Sequence, residues 1–224
     1  MILMNNQLIS LSLPKGDALP FLAKQLKQID FPIKGYQSDN RTYRPEVENL
    51  PVRAKIMAEK DVALQVAAGN YDIGFCGQDW IYEHSVRFRG THLQILYPLK
   101  HESESVFVCS GKDGNIHNIK DLQSMDDTIE IVSEYPNIAE HFAIKHQLKR
   151  FKIFPAWGSV EAYPPEHAHV VILKANNEQE LSDKGLIMLS QLLNADVCLV
   201  VNQNAYKEKD LRPVLRYLLK LEAN

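Results

Sequence analysis

Between residues 61 and 80 the chain changes its hydrophobic period twice. An alanine-rich run over 61–68 has helical spacing and stops at Gly69-Asn70. Tyr71, Ile73 and Phe75 then alternate with Asp72 and Gly74, and Gly77 leads into Asp79 and Trp80. Alternation predicts a strand, and Asp79 is placed to cap a following helix whose apolar face opens with Trp80. Helix, strand and helix in so short a span is the repeating unit of an α/β sheet. The end of a strand entering a helix is where such sheets hold ligands. Gly74 puts a small residue where a backbone or a ligand comes close. Asp72 and Gly74 are therefore candidate site residues, and the alternative is an ordinary buried strand with a tight turn.

The rest of the chain keeps the alternation. Strands are expected at 7–13, 52–57, 93–98, 105–110, 128–133, 151–156, 170–173 and 197–202. Helices are expected at 18–29, 60–68, 138–146 and 210–221, with Asn137 as a cap, a short helix starting at 119 and Gly185 at a turn. Residues 36–51 read as irregular with a hairpin. The fully apolar 170–173 suits a strand covered on both faces. The middle of the chain, about 100–170, carries its own strand-helix-strand series, which predicts a second lobe with a ligand cleft between lobes. The expected division is 1–98 plus 174–224 for the first lobe and 99–173 for the second.

Two further turns invite a ligand. Pro14-Lys15-Gly16-Asp17 joins a strand to a helix, and there glycine lets backbone N–H groups approach an anion while lysine adds a point charge. A plain turn with a solvated lysine is the alternative. Lys174, Asn176 and Asn177 offer another anion or polar-ligand turn, against the alternative of a solvated loop. Arg53 lies in the strand expected at 52–57.

Composition excludes several classes. A net charge of -3 and no basic patch interleaved with aromatics argue against nucleic acid. No apolar run is long enough to cross a bilayer, no secretion signal opens the chain, and a cytoplasmic protein is expected. Cys76, Cys109 and Cys198 sit in apolar strand-like runs without metal-ligand spacing and read as buried free thiols. His167 and His169 share a strand face, but zinc needs a third ligand that the sequence does not supply.

Several segments, in order, resemble one family. Leu13-Pro14-Lys15-Gly16, Gly69-Asn70-Tyr71-Asp72-Ile73-Gly74 with Gly77 and Asp79, Tyr135-Pro136-Asn137-Ile138-Ala139 and Gly158-Ser159-Val160-Glu161 are similar to the short form of ATP phosphoribosyltransferase, the first enzyme of histidine biosynthesis. The resemblance implies an α/β fold of two lobes, akin to type II periplasmic binding proteins, with mixed sheets and the active site in the inter-lobe cleft. It implies a glycosyltransferase that joins N1 of ATP to C1 of phosphoribosyl pyrophosphate with Mg2+. It also implies a hetero-oligomer with a regulatory subunit resembling histidyl-tRNA synthetase, or a homodimer. The long form's regulatory C-terminal domain is not expected here. Carried over residue by residue, Lys15 and Gly16 would sit at polyphosphate, Asp72 at a nucleotide or ribose hydroxyl, and Ser159 with Glu161, the catalytic candidate, in the site. Arg53, Gly74, Lys174, Asn176 and Asn177 complete the expected nucleotide and phosphoribosyl contacts, with no protein metal ligand.

The chain departs from the family where the phosphoribosyl pyrophosphate loop is expected. Leu173-Lys174-Ala175-Asn176-Asn177-Glu178-Gln179-Glu180 replaces a loop of threonine hydroxyls and glycine. Two carboxylates where a dianion should sit cost free energy. A catalytically weak or inactive relative that binds another small ligand is the alternative reading.

Overall fold

A computed structural model describes residues 8–39, 42–99 and 104–223. Residue 7 of the first expected strand, residues 40–41 of the expected irregular stretch, and residues 1–7, 100–103 and 224 of the expected lobes lie outside these described residues. The chain divides into two compact units, one of 1–81, 90–101 and 196–224 and one of 82–89 and 102–195.

The first unit opens with β1 (Ile9–Lys15), α1 (Ala18–Gln28) and a two-stranded ribbon of β2 (Ile33–Lys34) and β3 (Glu46–Val47). It continues through β4 (Val52–Ala58), α2 (Glu59–Ala67), β5 (Ile73–Gly77) and the start of α3 (Gln78–Arg87). α1 forms because Leu19, Leu22 and Leu26 recur at helical spacing and are buried on the sheet. Pro20 falls in its first turn, where no intrahelical N–H bond is lost. Each leucine so buried contributes about 1.5–3 kcal/mol. Alternation in β5 splits its side chains between two cores: Ile73 and Phe75 join α1, whereas Cys76 joins Val62, Ala63 and Val66 of α2.

β6 (Leu93–Leu99) also belongs to this unit. The second unit contains β7 (Ser105–Gly111), α4 (Ile119–Ser124), β8 (Ile129–Ser133), α5 (Pro136–Lys145), β9 (Phe151–Pro155), β10 (Val170–Ala175), α6 (Glu178–Asp183) and β11 (Leu186–Asn194). The chain then returns to the first unit as β12 (Val197–Asn202), α7 (Gln203–Glu208) and α8 (Arg212–Leu218). The first sheet runs β4-β1-β5-β12-β6 and the second β11-β7-β10-β8-β9. In the first, β4, β1 and β5 are parallel and β12 is antiparallel to β5 and β6. In the second, β10, β8 and β9 are parallel and β7 is antiparallel to β10 and β11. Both sheets are mixed, as expected.

Three expectations change. The return to the first unit falls at 195/196 rather than 173/174, because position 173 lies inside β10 and β11 then pairs with β7 along its length. β11 escaped the sequence because it is half-exposed without alternation and slips register between Met188 and Ser190 and between Gln191 and Leu193. Asn137 does not cap α5: the helix starts one residue earlier at Pro136, which has no N–H to leave unsatisfied. The three cysteines are buried and free, and Cys76 stands opposite Cys198 in register across β5 and β12.

Candidate functional site

In each sheet the parallel strands end at one edge, and side chains meet there that the sequence holds far apart. At that edge of the first unit, β1 delivers Lys15 and Gly16. Lys15 is exposed, with its Nζ 5.7 Å from the centroid of the Tyr43 ring. Gly16 has φ +89° with nothing within 4 Å of an added Cβ, so handedness of the turn and not crowding requires glycine. β5 ends beside it at Gly77, whose N–H donates to Oε1 of Glu59 at 2.7 Å. An added Cβ on Gly77 would lie 2.1 Å from Oδ1 of Asp79 and 2.8 Å from Oε1 of Glu59, so glycine makes room for both carboxylates. Asp79 lies within the first turn of α3 rather than before it, fully buried, where the helix dipole favours a negative charge.

The other first-unit candidates are placed elsewhere. Asp72 precedes β5 and is 2% exposed. Its Oδ2 accepts the Ser10 N–H at 2.8 Å and the Ser10 hydroxyl at 2.9 Å, and Nζ of Lys209 donates to Oδ1 at 2.8 Å. This carboxylate is consumed in joining β1, β5 and the segment after α7. Ser10 and Lys15 stand five residues apart on β1, about 16 Å at the rise of an extended strand. Asp72 is thus at the opposite edge from Lys15, with its carboxylate engaged by Ser10 and Lys209. Arg53, exposed and in register with Ser10, lies at that same opposite edge. Gly74 lies inside β5, where an added Cβ would fall 2.5 Å from Oγ of Ser12 and 2.9 Å from methyls of Val62 and Val66. Its smallness serves the packing of α2 on the sheet and not a ligand.

In the second unit, the ends of β8, β9 and β10 bring Glu134, the turn 156–163 and Asn176-Asn177 to one edge. Gly158 N–H donates to Oε1 of Glu134 at 2.6 Å, tying the turns after β8 and β9 together. Ser159 is exposed at φ 54°, in the left-handed region, and Glu161 lies in a 3-10 turn (Val160–Ala162) anchored by buried Val160. Asn177 caps α6 by accepting the Glu180 N–H at 3.0 Å. Glu180 reaches back, its Oε2 accepting the Asn176 N–H at 2.9 Å and Nδ2 at 2.8 Å. Lys184 donates to Oε1 of Glu180 at 2.8 Å. That hydrogen bond first, then the Asn176 amide, holds the Glu180 carboxyl down at about 2. The Lys184 ammonium is pushed up, mainly by Glu180 and further by the charge of Glu161. Lys174 is half-buried and paired with Glu104 at 2.9 Å.

The sequence did not disclose Glu59, Glu83 or Glu134 as partners of backbone amides. Glu83 of α3 accepts the Asn137 N–H at 2.9 Å and the Ile138 N–H at 2.8 Å at the start of α5. These pairings join residues 18 to 55 apart, which no local pattern announces. The Asn177–Glu180 pair was readable, because asparagine followed three residues later by glutamate is a capping pattern.

Known proteins decide the family. The sequence model of the ATP phosphoribosyltransferase (HisG) family matches residues 58–221. The chain belongs to that family. Among relatives, the ATP phosphoribosyltransferase of Chlorobium chlorochromatii is 22% identical over 203 residues, covering 91% of this chain and 66% of the relative. That of Prosthecochloris aestuarii is 24% identical over 208 residues, covering 91% and 67%. The chain spans about two thirds of the length of the curated relatives it matches. The ATP phosphoribosyl transferase (HisG:HisZ) complex from Thermotoga maritima contains a chain that superposes with a TM-score of 0.77 at 20% identity, covering 96% of this chain and 97% of that one. The alkanesulfonate-binding protein SsuA from Xanthomonas axonopodis pv. citri, bound to MOPS, superposes with a TM-score of 0.58 at 10% identity, covering 96% and 72%. The fold of this family member is thus the two-lobed α/β fold of type II periplasmic binding proteins. Among the described residues no group of three or more His, Cys, Asp or Glu side chains is arranged to hold a metal ion, and no helix is long and apolar enough to cross a membrane.

Proposed function

We propose that the chain transfers a phosphoribosyl group from phosphoribosyl pyrophosphate to N1 of ATP, in the cytoplasm, as the first step of histidine biosynthesis. The observation that carries this reading is the family match across 58–221, which includes the Gly158-Ser159-Val160-Glu161 turn. In the transfer, the N1 lone pair attacks C1, the N1–C1 bond forms and the bond from C1 to pyrophosphate breaks. Protein groups contribute by positioning and by opposing developing charge. Lys15, exposed beside Gly16, supplies a cation for polyphosphate, and the carboxylate of Glu161 faces positive charge growing at the sugar. Arg53, Asp72 and Gly74 drop out of the proposed contacts, and Lys174, Asn176 and Asn177 enter only where Glu104 and Glu180 release them. Mg2+ fits no protein cluster among the described residues, so no step is assigned to a protein-held metal. A second subunit, as in the Thermotoga maritima complex, or a second copy is the proposed partner.

The test is product formation. Purified chain, ATP, phosphoribosyl pyrophosphate and Mg2+, with and without a regulatory subunit, should give phosphoribosyl-ATP by absorbance; Lys15→Ala should slow it at limiting substrate and Glu161→Ala should abolish it. Absence of product under both conditions overturns the transfer. A second reading, a two-lobed protein that binds a small ligand without turnover, is favoured by the closed hydrogen bonding of Asn176, Asn177 and Glu180. Thermal stabilisation by ATP without any response to phosphoribosyl pyrophosphate would select it.

A further inference from the structure

Of the three buried free cysteines, two face each other. Cys76 of β5 stands opposite Cys198 of β12, whereas Cys109 has Val171 and Met188 as its neighbours in register. The ladder fixes the kind of pair. Gln78 N–H donates to the Asp196 carbonyl at 2.8 Å and Asn202 N–H to the Asp72 carbonyl at 2.9 Å, each between residues opposite one another in the same register. Bonded pairs recur at every second position of an antiparallel ladder, which makes Cys76 and Cys198 a hydrogen-bonded pair with Cα atoms about 5.5 Å apart. A disulfide spans Cα atoms about 4.4–6.8 Å apart, most often near 5.5–6 Å. The two side chains also share a face, for both lie in the core with Val62, Ala63 and Val66 of α2. Buried cysteines commonly do no more than pack. A matched pair, at bonding separation and on one face, can also be joined.

The cover supplied by α2 sets the conditions. Both residues are at most 1% exposed. Burial, and after it the charge of Asp196, pushes the Cys198 thiol up to about 12, and burial raises Cys76 in the same sense. Thiolate is therefore scarce, and the sulfurs meet an oxidant only when α2 lifts from the sheet.

We infer that Cys76 and Cys198 form a reversible disulfide that staples β5 to β12, made by exchange with a small disulfide oxidant. One cysteine thiolate attacks the oxidant and releases its first thiol, leaving a mixed disulfide on the protein. The second thiolate attacks the protein sulfur of that bond and releases the second thiol. The cysteines lose two electrons and two protons, and the oxidant becomes two thiols. A thiol pool reverses the step, so the staple answers to the ratio of disulfide to thiol around the protein. β12 brings the chain back from the second unit into the first sheet, and the staple holds it there. It is independent of the transferase reading, since neither sulfur belongs to the proposed contacts.

The full-length chain, without denaturant, is equilibrated with glutathione disulfide and glutathione at graded ratios, quenched with acid, unfolded and alkylated. Alkylated thiols should fall from three to one as the ratio rises, with peptide mapping placing the link between Cys76 and Cys198 and the alkyl group on Cys109. The linked form, freed of reductant, should unfold at a urea midpoint about 1 M or more above the reduced form, and dithiothreitol should bring it back. Cys109→Ala should keep the shift and Cys198→Ala should lose it. Where Cys198→Ala does not fold, the mapping and midpoint of the wild type decide alone. Three alkylated thiols at every ratio, glutathione adducts without a link, a link through Cys109, or a link that leaves the midpoint where it was would each overturn the inference.

Discussion

Glu83 bridges the start of α5, one carboxylate oxygen accepting the Asn137 N–H at 2.9 Å and the other the Ile138 N–H at 2.8 Å. The side chain is 7% exposed. Burial pushes its carboxyl above the usual 4.5, and the Asn137 and Ile138 amides pull against that rise without cancelling it. The folded protein therefore holds this proton to higher pH than the unfolded chain does. The stability tied to it is complete below the unfolded pKa and lost as pH rises through the folded one. Urea unfolding from about pH 4 to 7 should show the wild type losing stability relative to Glu83→Gln. A gap that does not vary with pH would contradict the assignment.

Gly74 and Gly16 call for glycine for different reasons, and alanine separates them. At Gly74 the new methyl would lie 2.5 Å from the Ser12 hydroxyl and 2.9 Å from two valine methyls. Overpacking of that kind costs about 1–3 kcal/mol. At Gly16 there is open space and only the left-handed backbone to strain, about 1–2 kcal/mol. Chemical denaturation should rank Gly74→Ala as the more damaging, and apolar surface exposed to a dye should rise only for Gly74→Ala.

Asp72 supports the fold, which predicts a clean separation of stability from binding. Asp72→Ala leaves the Ser10 N–H, the Ser10 hydroxyl and the Lys209 ammonium without their acceptor. The loss should be about 2–4 kcal/mol, below that of a fully buried pair because the Lys209 side chain is 31% exposed. Ligand affinity of the folded fraction should be unchanged. An affinity loss with intact stability would return Asp72 to the ligand site.

The strand and helix alternation was legible because it depends on local period. Ile73, Phe75 and Cys76 sort to opposite faces as the spacing requires. Gly16 was legible because a strand-to-helix turn with glycine is a local pattern. The partners of Asp72 were not legible, because they stand 62 and 137 residues away, in Ser10 and Lys209. The neighbourhood of Arg53 was not legible, because parallel register, which puts it beside Ser10, is a property of the pair of strands and not of either one. The same distance hid Cys198 from Cys76.

Lys15 should behave in the reverse sense to Asp72. Its ammonium is exposed and, among the described residues, meets the fold at the Tyr43 ring. Lys15→Ala should raise KM for a polyphosphate substrate about tenfold or more while the unfolding midpoint stays where it is. A parallel fall in the midpoint would mean that the lysine stabilises the turn instead.

The position of β12, between β5 and β6 in the first sheet, has a consequence for synthesis. When residue 101 leaves the ribosome, β5 and β6 have no strand to join them, and their unpaired edges face water until residues 197–202 follow. At translation speeds of about 5–20 residues per second, that is a delay of roughly 5–20 seconds. The unit begun second is the first whose strands have all emerged, and the one begun first stays open to chaperones, or to a neighbouring nascent chain, throughout the interval.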